Sequence, residues 1–243
     1  MKQIIIAGIA AIGLIIAFYL IGDAYKYKFR AEETIVVTGS SETDFESDQV
    51  VWEGRYSRKE MDIKSAYAAI KADEIKIRKY LKDKAVADSE MVFSAIQISK
   101  DYSYFYDENG RQRGSEFTGY NLRQTVTVDS RDIDKVDRIS REVTELIESG
   151  IELNSDAPSY YYTKLSELKI DLLAKASADA KLRATTIAEN AGSKLGNIRK
   201  ASMGVFQITG ENMNEEYSYG GVFNTSSKNK TATVTTRIEF ELD

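Results

Sequence analysis

The apolar residues of this chain fall in two patterns. Ile4 to Ile21 is one run, IIIAGIAAIGLIIAFYLI, with no charge in it, whereas later apolar positions recur singly among polar ones. As a helix at about 1.5 Å per residue the run spans roughly 27 Å, close to the hydrocarbon thickness of a bilayer. It has no polar face, which argues against a buried helix of a soluble core. The pattern predicts a membrane helix over residues 1–22, with Ile4, Ile5, Ile6, Leu14, Ile15, Ile16, Phe18, Leu20 and Ile21 against lipid. Residues 23–33, DAYKYKFRAEE, read as a polar tether, and 34–243 as one folded domain.

A cleaved secretory signal has an apolar stretch of about 7–15 residues and a small-x-small cleavage site. This run is longer, and the nearby triplet Gly22-Asp23-Ala24 has Asp at its centre. The expectation is an uncleaved, single-pass signal-anchor; the alternative is a cleaved signal and a soluble periplasmic domain. Lys2 on one side and Lys26, Lys28 and Arg30 on the other leave the positive-inside rule undecided. Secretory targeting of a first hydrophobic segment places the domain outside the cytoplasm.

Beyond the tether the period alternates between two and 3.6. Thr34–Gly39 and Gln49–Arg58 read as strands, the second with Trp52 and Tyr56 on one face and Val51 on the other. Ile63, Ala66, Ile70, Ile77 and Leu81 mark a helix that Asp62 can cap. Val92 to Tyr106 returns to period two, with Ile96, Ile98, Tyr102, Tyr104 and Tyr106 in phase. Asp107-Glu108-Asn109-Gly110 is a turn, Arg111–Glu116 a polar tip, and Phe117–Val128 the returning strand of a long hairpin.

A second helix, capped by Asp132 or Ser130, carries Ile133, Val136, Ser140, Val143 and Ile147 on one side and stops at Gly150. A short strand and a loop around Pro158 follow. Leu165–Ala191 is the longest helix outside the N-terminal run, its later stripe mostly Ala, ending at Gly192. Asn197–Thr209 and Thr231–Leu242 read as closing strands, joined by the long polar loop Gly210–Lys230. The fold class is α+β: mixed or antiparallel sheets with three packed helices, preceded by the transmembrane helix.

Composition narrows the chemistry. With 33 basic and 38 acidic residues the net charge is −5, and no basic stripe suggests nucleic acid. Histidine and cysteine are absent. That removes His-based triads, the usual zinc sites, disulfides and N-terminal lipoprotein modification. Neither G-x-G-x-x-G nor a phosphate-binding P-loop occurs. The expectation is a protein that is not an enzyme, with no catalytic residues, no cofactor and no metal. A hydrolase or transferase using carboxylates alone is the weakest alternative, since no spacing locates the pair.

Four stretches in order resemble one family. They are Ile35-Val36-Val37-Thr38-Gly39 followed by Asp48-Gln49-Val50; Gly119-Tyr120-Asn121 running into Thr125–Val128; the Ala-rich helix from Leu165 to the G-x-x-L-G of Gly192, Leu195 and Gly196; and the alternating strand Ala232–Leu242. Together they resemble the SIMPL-domain proteins of bacterial envelopes, departing at Ser47, where the family has Pro, and in the 210–230 loop. The resemblance implies a periplasmic or envelope setting, a link to oxidative-stress defence in some members, and ring-like homo-oligomers in others. It supplies no catalytic motif.

Two aromatic groups stand out as interaction candidates: Tyr102, Tyr104, Tyr106, Phe117 and Tyr120 on the hairpin, and Tyr217, Tyr219 and Phe223 in the long loop. Ordinary strand packing is the competing reading of the first group, and disorder of the second. Asp101, Asp107 and Glu108 lack the spacing of a calcium loop and read as turn residues, and Glu211, Glu215 and Glu216 as a solvated acidic stretch. Ala180, Ala184 and Ala188 read as packing within the chain rather than between subunits. The expected partners are membrane lipid, through the N-terminal helix, and further copies of the chain, with no nucleic acid. The expected role is an extracytoplasmic envelope scaffold or ring. Its alternative is a tethered binding module using the hairpin and the 210–230 loop.

Overall fold

A computed structural model of the chain describes residues 12–23, 25, 33–211 and 218–243. Among the described residues the fold is α+β, with four helices and antiparallel sheets, as the alternating periods predict. Helix α1 covers residues 12–23 and is exposed along nearly its whole length. Among the described residues no helix is long and apolar enough to cross a membrane. Ile4, Ile5 and Ile6, and most of the tether, lie outside the described residues.

The chain forms two compact units, one of residues 1–40, 174–204 and 235–243, the other of residues 41–173 and 205–234. The second unit is built on β2 (Gln49–Glu60), which pairs antiparallel with β5 (Gln112–Ser130), Gly54 opposite Val126. β3 (Met91–Phe93) and β4 (Gln97–Tyr106) both pair with β5, and β6 (Leu153–Ser155) and β7 (Ser159–Tyr161) both pair with β2. The alternation read in β2 holds, with Val50, Trp52 and Tyr56 buried.

Helix α2 (Ile63–Asp83) covers this face. Its cap is the Asp62 carboxylate, which accepts from Ser65 N at 2.9 Å. Ala66, Ile70, Ile77 and Leu81 are fully buried, while Ile63, in the first turn, stays partly exposed. Helix α3 (Ile133–Glu142) is capped by Asp132, which accepts from Lys135 N at 3.0 Å. Beyond it the chain tightens into a 3₁₀ turn over Val143–Ser149 that ends at Gly150, φ 75°. That tightening corrects the stripe read from the sequence. Three residues per turn bring Leu146 inward in place of Ile147, which is 63% exposed.

The first unit joins residues 34–40 of β1 (Thr34–Glu46), 174–190 of α4 (Leu165–Asn190), β8 (Leu195–Met203) and the end of β10 (Asn229–Leu242). Ala176, Ala180, Ala184 and Ala188 are buried at four-residue spacing, with Ala180 and Ala184 against Val37, Ile238 and Phe240. The alanine stripe is packing within the chain. Gly39 faces it so closely that a Cβ there would collide with the backbone of Ala176 and Ala180. Helix α4 ends where Ser193 N donates to Ala188 O (2.9 Å) around Gly192, φ 82°. The strand expected over Asn197–Thr209 is in fact two, β8 and β9 (Gln207–Gly210). The interruption begins at Gly204, where a side chain would run into Thr235.

Candidate functional site

The hairpin of β4 and β5 is the candidate interaction surface, and β2 decides where it begins. The last residue of β2, Glu60, pairs with Tyr120. At the neighbouring Gly119, φ 132°, a Cβ would lie 2.8 Å from Glu60 O, so the chain turns past the end of β2 only with glycine there. From that point to its tip, β5 is paired with β4 alone, and the far edge of β4 has no strand beside it among the described residues. Two β-bulges, at Asp101/Tyr102 and Phe105/Tyr106, re-aim the arm.

The tip is tighter than the sequence predicts. Asp107 N donates to Arg111 O (2.9 Å), and the Asp107 carboxylate accepts from Asn109 N and Arg111 N, both at 2.9 Å. Gln112 onward, expected as loop, is already strand. Asp107 and Glu108 are turn residues, and Asp101 lies back along the arm, bonded to Lys59 Nζ at 2.6 Å. That ammonium holds the Asp101 carboxyl below its usual range.

Register assigns the faces. Ile98 lies opposite Leu122, Lys100 opposite Tyr120, Tyr102 opposite Phe117 and Tyr104 opposite Ser115. Directly paired residues share a face, so Tyr102, Tyr104, Phe117 and Tyr120 continue the side of the sheet on which Leu122 is buried. Three rings meet edge-on: Tyr102 and Phe117 at 5.7 Å between centroids, Phe117 and Tyr120 at 5.1 Å. Tyr104 and Tyr106 stand further out, 51% and 63% exposed. Phe105, half exposed on the other face, is out of phase with the tyrosines, so their alternation does not point to it.

Of the second aromatic group, Tyr217 lies outside the described residues. Tyr219 is fully exposed, and Phe223 is half exposed beside Ile208, which it meets in a parallel bridge. The Gln207 side chain fastens this loop, donating to Ser218 O (2.9 Å) and accepting from Val222 N (3.0 Å). Residues 218–224 are therefore closed onto β9 by specific bonds.

Several charged groups lining one concavity of the second unit are engaged in structural contacts. A depression of about 680 Å³ in the second unit is lined by Glu46, Asp48, Arg131, Asp132 and Lys228. There Lys228 bridges Glu46 (3.0 Å) and Asp134 (2.9 Å). Burial acts to raise the Asp48 carboxyl, but bonds from Thr163 N (2.7 Å) and Oγ1 (2.6 Å), with Arg131 nearby, outweigh it and hold the group low. Beneath α2, Tyr56 OH donates to Gln124 Oε1 (2.7 Å), and Gln124 Nε2 donates to Ser94 O (2.9 Å) and Glu74 Oε2 (3.1 Å). This network, unread in the sequence, breaks the strand expected over Val92–Tyr106, because the Ser94 carbonyl turns to the Gln124 side chain between β3 and β4.

Residues 35–241 match the family model described as SIMPL, a protein of unknown function (DUF541), and the chain belongs to that family. No curated protein matches it.

Proposed function

We propose that this SIMPL-family chain is a membrane-anchored, extracytoplasmic and non-enzymatic envelope protein that self-associates into a scaffold or ring linked to stress tolerance. The observation that carries the reading is the β4–β5 arm, which has one open strand edge among the described residues and an aromatic face left exposed. An open edge offers a row of unpaired backbone groups to another strand, and exposed aromatics bury large areas at low entropic cost. The uncharged run Ile4–Ile21 supports the anchor, and family membership the envelope setting. A second reading uses the same arm, with Tyr219 and Phe223, to capture a ligand or another envelope protein. The exposure of Phe105 opposite the tyrosines favours it, since a two-sided arm can be gripped from both faces.

The test is absolute mass by light scattering, on the full chain in detergent and on a truncation beginning at Glu32, each with and without the triple change Tyr102→Ser, Tyr104→Ser and Tyr106→Ser. Scaffolding by the arm predicts discrete multiples of the chain mass in both forms, lost in the triple variant. Association of the full chain alone would assign it to the N-terminal helix. Two monomeric forms would overturn the scaffold and leave the tethered module.

A further inference from the structure

We propose that Asn109, at the tip of the β4–β5 arm, is a site of spontaneous covalent modification, its side-chain amide lost to the backbone nitrogen of Gly110. Asn109-Gly110 is the one Asn-Gly step in the chain. The step needs a backbone nitrogen that can reach the Asn side-chain carbonyl, and a side chain on the following residue obstructs that approach. Gly110 has none. The position a Cβ would take there has no atom within 4 Å, and both residues are exposed. Asparagines elsewhere among the described residues are differently placed. Asn154 precedes Ser155 within β6, and Asn190 sits on α4 with its side-chain amide donating to Thr186 O at 2.7 Å.

In the reaction, a bond forms between Gly110 N and the Asn109 Cγ. The Cγ–Nδ2 bond breaks, and ammonia leaves carrying the Gly110 amide proton. Water then opens the five-membered imide, with no change of oxidation state. Opening at Cγ gives aspartate with the original main chain, and opening at the backbone carbonyl gives isoaspartate, whose main chain runs through Cγ. One bond of the turn opposes the first step: Gly110 N donates to Asp107 O at 2.9 Å. It lies at the end of a two-stranded arm, where local opening costs far less than global unfolding. The product adds a carboxylate beside Asp107 and Glu108, and isoaspartate adds a main-chain atom within the turn that pairs Asp107 with Arg111. The tip thus changes charge and register with age, whatever the arm binds.

The full chain, kept folded in mildly alkaline buffer, is sampled over time by peptide mass spectrometry and by isoaspartate-specific enzymatic methylation. The expected result is an amide-to-acid mass change in the Asn109 peptide well before the Asn154 peptide, with methylation confined to the former. Asn109→Gln would need a less favourable six-membered ring and should lose essentially all the methylation. A native Asn109 that persists as long as Asn154 would overturn the proposal, showing that the turn protects it. So would methylation that survives in Asn109→Gln.

Discussion

Strand β5 has two halves with the same alternation and opposite surroundings. From Leu122 to Ser130 every second residue is buried, with β2 alongside and α2 and α3 packed on the face. From Gln112 to Phe117 no residue is buried, and among the described residues β4 is the one strand beside it. Leu122 and Phe117 lie on the same side of the same strand, five positions apart with a bulge between them. Periodicity tells which residues share a face. Whether that face is covered depends on where β2 ends, at Glu60, and on how far the helices reach.

The largest effect should come from truncating one apolar residue in each half. Leu122→Ala removes a fully buried side chain and should cost about 2–5 kcal/mol. Tyr104→Ser, on the same face of the arm, should change global stability by no more than about 0.5 kcal/mol. Urea unfolding followed by tryptophan fluorescence reads both, since Trp52, the single tryptophan, is buried in the covered half. Equal losses would mean that the arm is part of the cooperative core.

Outside the arm the fold was legible in the sequence where the signal is local. Asp62 before a helical stripe, Trp52 and Tyr56 four apart and in phase, and alanines at 180, 184 and 188 each report a cap, a face or a close contact through residues near in the chain. The break at Ser94 was not legible, because its cause is Gln124, thirty positions away. A helical spacing puts Ile147 inward because nothing in the residues themselves signals the change from 3.6 to three residues per turn. For the candidate site, the tyrosines were found by their alternation. The bulges that re-aim them, the closed tip and Phe105 depend on register, which the spacing alone does not give.

Ion pairs sharpen the contrast at an intermediate magnitude. Neighbouring residues of β2, Arg58 and Lys59, reach to opposite environments. Arg58 Nη2 donates to Asp73 Oδ1 (2.9 Å) and to Gly150 O (2.7 Å), and the Asp73 side chain is 4% exposed. Lys59 meets Asp101 where both side chains are nearly half exposed. Asp73→Ala strands a guanidinium that is only partly solvated and should cost roughly 1–3 kcal/mol. Asp101→Ala should cost far less, and be felt less still at high salt. Denaturation midpoints at low and high ionic strength separate the two, and equal, salt-sensitive losses would contradict the burial of the first pair.

The smallest effect is in the acid limb of stability, where the two halves again differ. Burial acts to raise the Glu74 carboxyl, but bonds from Lys71 (2.6 Å), Gln124 (3.1 Å) and Arg78 (3.4 Å) outweigh it and leave the group below its ordinary value of 4.5. A carboxyl depressed in the folded state binds its proton more readily when unfolded. Its contribution is therefore present above pH 4.5 and is lost as the pH falls through the lower folded value. Glu74→Gln should accordingly flatten the fall in stability below that pH. Asp101, also depressed but half exposed on the arm, should leave the acid limb almost unchanged when replaced by Asn. Unfolding free energies measured at a series of pH values give both slopes. An acid limb altered as much by Asp101→Asn as by Glu74→Gln would show the arm to be coupled to global unfolding, and so covered in solution by something the isolated chain does not provide.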